Sequence, residues 1–530
     1  MSEFNIKNDK YRIYYFAIVC VFVMFYIIHG FAMFNNILVD DSLKYPEYYS
    51  SEARIELGRW FLAPACALGS FYDLRAVNGF LSCVYLALTV CIIIRMFRVK
   101  KYSSVIIICL LSVSFCTVGT MMLWMYTADG YMMSYLFSIA AVYFSVFDEY
   151  EHPEYANRAR FLKNKRITDG ISVILLCLSC GIYQAYMSVY MVAVIMLFIL
   201  RSVNAYNIIA KKKRETKKHN GNISWMINKF SILLCAFILY FIIWRIVLII
   251  TGSQASGQHG TDDIFSKNLF ITRIINAVPE SYKNLIMFLF LGKKPTFEGA
   301  VFLFTAITTI ALIVYYLIAN KVYNNKKTFA ATILAIFSLP LMFFYVNFVT
   351  DSSQYSGLMI MSMLIPILFS VAVIEKCMDG KKMKIIAVMI LIIFGFTSSV
   401  SDNILYLDAT VAFESTMSLG TELKLRIDDA IDNNNGVMPS KIYIIGKREE
   451  ATKSRLDGDS IKSLPSNMDY LIGDSYIINF LKIQYGYSFE QIYNPSFKDS
   501  LKSMPDFPSR NSVVLIDDTL VIKLSDDKDW

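Results

Sequence analysis

The sequence predicts an α-helical polytopic membrane protein of about eleven transmembrane helices, followed by a small extracytoplasmic α/β domain. Three observations predict it. Of 530 residues, 56% are hydrophobic and only 18% charged. The mean hydropathy is +0.47, far above that of soluble globular chains. Basic residues gather in every second loop, the arrangement that retains those loops on the cytoplasmic side.

Crossing the hydrocarbon takes about 20 apolar residues. Eleven apolar stretches precede Ser401: Tyr14 to Phe34, Val77 to Met96, Ser104 to Met122, Tyr131 to Phe147, Gly170 to Ile182, Met187 to Leu200, Ile223 to Ile250, Ala300 to Ala319, Phe329 to Phe348, Met359 to Ile374 and Ile385 to Phe396. Basic clusters at Lys7 to Arg12, Arg95 to Lys101, Arg158 to Arg166, Lys211 to Lys218, Lys321 to Lys327 and Lys381 to Lys384 alternate with loops carrying Asp40, Asp41, Asp129, Asp262, Asp263 and Asp351. The N-terminus is therefore expected inside and residues 401–530 outside. The first stretch lacks a small-residue cleavage site and reads as a retained anchor.

Residues 401–530 carry 14 basic and 21 acidic residues, a net of −7, so the first 400 hold +15 of the total +8. The basic excess thus reflects topology and argues against nucleic-acid binding. Within this tail, Lys441 to Ile445 and Ser512 to Ile516 read as strands, and Thr410 to Ile431 and Tyr476 to Gln484 as helices. All ten cysteines precede the tail, nearly all in apolar stretches, and read as core packing residues. A disulfide framework is excluded for the tail, and four scattered histidines offer no metal-ligand spacing.

Candidate chemistry begins at Asn35-Asn36-Ile37-Leu38-Val39-Asp40-Asp41, where the chain leaves the first apolar run. Two adjacent carboxylates raise the pKa of at least one, as suits a general base; otherwise they solvate a loop. The loop that follows, within 35–76, combines Tyr45, Tyr48, Tyr49, Arg54, Gly58-Arg59-Trp60-Phe61, Asp73 and Arg75. Aromatic rings stack on sugars and guanidinium groups fork onto phosphate, though Arg59 and Trp60 also suit an interfacial helix. Trp124-Met125-Tyr126-Thr127-Ala128-Asp129-Gly130-Tyr131 reads as a tight outer turn bringing a third carboxylate beside aromatics. Tyr183-Gln184-Ala185-Tyr186 places an amide and phenols near the outer surface, for a sugar or as a simple hairpin cap. Arg245, the only formal charge in its span after residue 229, and the loop residue Arg273 could stabilise an anionic leaving group; Arg245 could equally snorkel.

The order Asn36, Asp40-Asp41, Gly58-Arg59-Trp60, then Tyr126-x-x-Asp129-Gly130-Tyr131, then Tyr183-Gln184-Ala185-Tyr186-x-Ser188 resembles the bacterial Gtr type II glucosyltransferase family, which decorates O-antigen during serotype conversion. The resemblance spans most of Asn35 to Arg201. It implies a GT-C-like membrane domain over residues 1–400 in the bacterial cytoplasmic membrane. It also implies an undecaprenyl-phosphate glucose or related polyprenyl-phosphate hexose donor, a lipid-linked glycan acceptor such as O-antigen, and inversion with Asp40 or Asp41 as base. Arg59, Trp60, Tyr126, Asp129, Tyr183, Gln184, Arg245 and Arg273 are the candidate substrate-binding residues. No metal is strictly required, since guanidinium can neutralise a phosphate leaving group.

A polysaccharide flippase or transporter is the rival from another class. It would place ionisable groups at mid-membrane and show repeats, whereas the charges here gather at the outer edge. A glycan polymerase is the nearer alternative and would show a large late external loop.

Overall fold

A computed structural model describes residues 2–37, 52–69, 73–147, 164–211, 221–255, 267–290, 297–348, 357–377, 380–446 and 474–526. The chain folds into two compact units. The first comprises Met1–Phe34, Tyr49–Asn403 and Asp459–Leu464, the second Asn35–Tyr48, Ile404–Gly458 and Pro465–Trp530.

The first unit is helical. Its elements are α1 (Ser2–Phe34), the short α2 (Glu52–Glu56) and α3 (Leu62–Cys66), α4 (Arg75–Phe97), α5 (Tyr102–Val113), α6 (Cys116–Leu123), α7 (Met125–Ser145), α8 (Lys165–Ile182), α9 (Met187–Lys211), α10 (Gly221–Thr251), α11 (Lys267–Phe290), α12 (Phe297–Ala319), α13 (Lys326–Phe337), α14 (Leu339–Phe343), α15 (Leu364–Cys377) and the start of α16 (Lys381–Asp432). Every apolar stretch of the sequence thus contains helix. Among the described residues, six helices are long and apolar enough to cross a membrane, seven if α5 and α6, bent by 44°, form one span.

Eleven spans are not confirmed by this measure, and some of the stretches are broken locally. Phe329 to Phe348 is interrupted: α13 stops at Phe337, and Pro340 opens the separate five-residue α14. Met359 to Ile374 begins with two 3₁₀ turns before the 14-residue α15. At the α5/α6 bend Phe115 is extended. The freed carbonyl of Val113 there accepts a 2.9 Å bond from Nε2 of fully buried His29, which places the proton on that nitrogen.

Polar side chains fasten the core. Arg75 is buried and donates to Ala32 O (3.2 Å) and Leu123 O (3.3 Å), reaching the last turns of α1 and α6, where carbonyls lack helical partners. Ser134 and Ser138 of α7 each lie 2.8 Å from the hydroxyl of Ser179 on α8, and Ser138 also donates to Tyr186 O (2.9 Å). Small residues let these helices approach and exchange hydroxyl bonds. The cysteines follow their surroundings. Six are buried, but Cys235 is exposed, because α10 is apolar all round and much of its surface faces outward. It is not a core packing residue.

In the second unit α16 continues to Asp432, and α17 (Asp474–Tyr485) packs on it. A Cβ at Gly420 would stand 2.2 Å from the Phe480 ring, so glycine permits the contact. Strands β1 (Lys441–Ile445), β2 (Glu490–Gln491), β3 (Val513–Ile516) and β4 (Thr519–Lys523) form a sheet in the order β2-β1-β4-β3. β1 is parallel to β2 and β4, and a two-residue hairpin turn at Asp517-Asp518, with Asp517 at φ 50°, returns β3 antiparallel to β4. Tyr443, Ile445, Leu501 and Val521 form a core on one face. Lys523 is buried and pairs with Asp506 (3.4 Å) and Asp526 (2.8 Å). Burial raises the Asp428 carboxyl, but hydrogen bonds from Lys424 and Tyr487 outweigh it and hold Asp428 below the usual carboxylate range.

Candidate active site

The Gly58-Arg59-Trp60 segment lies where α2 ends. Gly58 sits at φ +80°, and its amide and that of Arg59 bond back to Ile55 O and Arg54 O, both at 2.9 Å. A left-handed residue ending a helix in this way is a standard use of glycine. Here it has a second reason: a Cβ would meet the Tyr240 hydroxyl at 2.2 Å and Gln184 Nε2 at 2.6 Å.

Those two groups pin the loop. Gln184 Nε2 donates to Leu57 O (2.7 Å) and Tyr240 Oη (2.9 Å), Tyr240 Oη donates to Gly58 O (3.1 Å), and Trp244 Nε1 donates to Ile55 O (2.7 Å). On the other side Phe61 N donates to Gly181 O (2.8 Å), and a Cβ at Gly181 would stand 2.7 Å from the Trp60 indole. Tyr345 donates to Gln184 O. The extended residue Tyr183, at φ −155°, ends α8 and turns Gln184 toward the loop.

Held in this way, Arg59 reaches Tyr131 Oη with Nη1 (3.3 Å), and its guanidinium lies 5.0 Å over the Tyr183 ring. Tyr131 and Tyr183 are themselves stacked at 4.7 Å. No carboxylate pairs with Arg59 among the described residues, and both Arg59 Nε and Trp60 Nε1 are buried without a hydrogen-bond partner. A cation against aromatic faces with a spare donor is suited to an anion.

Asp129 and Gly130 do not form an outer turn. They lie inside α7, and the chain break is at Trp124. The glycine serves packing, since a Cβ at Gly130 would stand 2.6 Å from Cys66 Sγ of α3. Asp129 is completely buried; the Cys66 thiol approaches it, but neither carboxylate oxygen has a well-formed hydrogen bond. Tyr126, one turn earlier and also buried, faces Arg54 at 5.9 Å.

The structure therefore brings together Arg59, Trp60, Tyr183 and Gln184 from the sequence-predicted set, with Tyr126 and Asp129 on the helix that carries Tyr131. Among the described residues, the other two cations are not among the side chains that contact Arg59 or its loop. Arg245 follows Trp244 but is exposed, and Arg273 is buried on α11. Asp40 and Asp41 lie outside the described residues. Sequence reasoning missed Tyr240, Trp244 and Tyr345. The spacing of the first two puts them on one face of a long apolar helix, without stating that this face turns to the loop.

Residues 30–367 match the family described as Glucosyl transferase GtrII. The chain belongs to this glucosyltransferase family. Its match covers the loop segment, the Tyr131 helix, the Tyr183–Gln184 turn and the α10 aromatics, so the cluster around Arg59 lies within the region that defines the family. No curated protein and no solved structure matches the chain. No group of three or more His, Cys, Asp or Glu side chains able to hold a metal occurs among the described residues.

Proposed function

We propose that this glucosyltransferase moves glucose or a related hexose from a polyprenyl-phosphate donor to a lipid-linked surface glycan at the outer face of the bacterial cytoplasmic membrane. The observation that carries the reading is Arg59: a half-buried guanidinium on a tyrosine face, without a carboxylate partner among the described residues and with Nε unspent. In the proposed step the acceptor hydroxyl oxygen attacks the anomeric carbon, inverting it, while the bond from that carbon to the donor phosphate oxygen breaks. The hydroxyl proton passes to an aspartate, and the polyprenyl phosphate leaves toward Arg59, which neutralises the developing charge. Trp60 supplies a ring face for the sugar, Tyr183 and Tyr126 position the guanidinium groups of Arg59 and Arg54 beside it, and Gln184 holds the Arg59 loop in register.

Asp40 and Asp41 are the proposed base, by their place in the first loop of the family pattern. Asp129 is a second reading, supported by its burial and by two oxygens without hydrogen bonds. The topology proposed with it is an inside N-terminus, eleven crossings and an outside C-terminal unit, supported by the alternation of basic and acidic loops.

Transfer from radiolabelled polyprenyl-phosphate glucose by the purified protein is the direct test. Asp40→Asn and Asp41→Asn, singly and together, are expected to lower the rate about 100-fold to 10,000-fold, the usual cost of losing a general base. If transfer survives in all three and fails in Asp129→Asn, the base is Asp129. Absence of transfer with any polyprenyl-phosphate hexose would sink the donor assignment.

A further inference from the structure

Arg245 poses a separate problem. On α10, Ile238, Ile242, Ile246 and Ile249 are at least half exposed and form a stripe along one side, while Tyr240, Trp244 and Leu248 are buried on the other. The spacing puts Arg245 on the exposed stripe, seven residues from Ile238 and four from Ile249. It is six residues before the helix end at Thr251, about 9 Å along the axis at 1.5 Å per residue.

A snorkelling arginine would extend toward that end. Instead the guanidinium leans back, 5.1 Å from the Phe241 ring one turn deeper and 5.8 Å from Trp244. No carboxylate pairs with it among the described residues. Charged groups on the outward side of a spanning helix are costly without a counter-ion. Beside it lies an open pocket of about 420 Å³, shared by Arg245, Leu248, Ile249 and the turn Gly252, Ser253, Gln254 and Ala255. Guanidinium, hydroxyl and amide on one side and aliphatic surface on the other match a phosphate headgroup with its hydrocarbon chain.

We propose that this pocket is a binding site for the phosphate of an anionic lipid, separate from the sugar-transfer cluster around Arg59. The inference rests on the reading of α10 as a membrane span. A bulk phospholipid and a polyprenyl phosphate present the same group, so both are included in the test. Arg245 donates to the phosphate oxygens, Ser253 and Gln254 complete the polar side, and Leu248 and Ile249 line the chain.

Full-length protein in detergent micelles is incubated with phosphatidylglycerol, phosphatidylcholine or undecaprenyl phosphate, and native mass spectrometry reads the lipid retained. Wild type is expected to keep one phosphatidylglycerol or undecaprenyl phosphate in preference to phosphatidylcholine. Arg245→Ala and the neutral, similarly long Arg245→Gln should each weaken retention about 10-fold, as for loss of a charge-assisted hydrogen bond, with circular dichroism confirming that they fold. Equal competition between the anionic lipids identifies a bulk headgroup site, and preference for undecaprenyl phosphate identifies a substrate-lipid site; either supports the proposal. Unchanged retention by both variants, or equal retention of phosphatidylcholine by wild type, overturns it. Because no sugar transfer is read, that failure leaves the glucosyltransferase reading intact, and a protein that binds the lipid yet transfers no sugar fails the other way.

Discussion

At the scale of single residues, Arg59 and Gly58 separate chemistry from architecture. Arg59→Lys keeps a charge but loses the planar fork and the broad face that rests on Tyr183. It is expected to lower transfer nearly as far as Arg59→Ala, with unchanged thermal unfolding; a lysine variant of wild-type rate would remove Arg59 from phosphate binding. Gly58→Ala should act differently. It forces φ +80° on a residue with a Cβ and drives that Cβ into Tyr240 and Gln184, so both stability and transfer should fall. At a compatible site alanine stabilises by about 0.4–1 kcal/mol, whereas here strain and clash outweigh that gain and the unfolding temperature should drop. Much of this site was legible in the sequence, because Gly-Arg-Trp and Tyr-Gln-Ala-Tyr are local patterns. Its other half was not. Tyr240, Trp244 and Tyr345 reach the loop from helices far along the chain, and no local pattern states which face of an all-apolar helix turns inward.

Among the elements, legibility depended on whether a rule was local. The strand β1 and the helix α17 follow from periodicity, and the apolar stretches became helices. Asp129-Gly130 misled because a turn-forming dipeptide was overruled by tertiary packing against Cys66 and Leu62. β4 escaped notice, although Thr519–Lys523 is the most buried strand of the sheet, with all five residues inside; its lysine concealed it, being neutralised by Asp506 and Asp526. The contact of α16 with the segment after α17 supplies a pH test. Asp428 lies below its ordinary range in the fold, so its bonds with Lys424 and Tyr487 stabilise above the unfolded pKa of about 3.9 and are lost as pH falls through the lower folded value. The difference in unfolding temperature between wild type and Asp428→Asn should therefore be present at neutral pH and vanish on strong acidification. Ser179→Val, which removes the hydroxyl shared by Ser134 and Ser138 and adds bulk between α7 and α8, should destabilise by about 1–3 kcal/mol in thermal unfolding.

For the whole molecule, the alternating charges make orientation the first quantity to measure. A reporter that is active only outside the cytoplasm, fused after Trp530, is expected to be active, and an inactive fusion of intact protein would reverse the proposed topology. The helix α16 bears on the same question by another route. Its 52 residues make one continuous hydrogen-bonded ladder, about 78 Å long at 1.5 Å per residue, whereas the hydrocarbon layer is about 30 Å thick. In the proposed membrane placement the ladder passes from oil into water without a break. Its composition changes accordingly, from Ile385 to Phe396 without charge to a later part bearing the i,i+4 pairs Lys424–Asp428 and Glu422–Arg426. Deuterium should consequently enter the amides of one helix at two rates, slowly where no water reaches the backbone and faster beyond, so that the exchange pattern marks the bilayer surface along a stretch where the helix itself never ends.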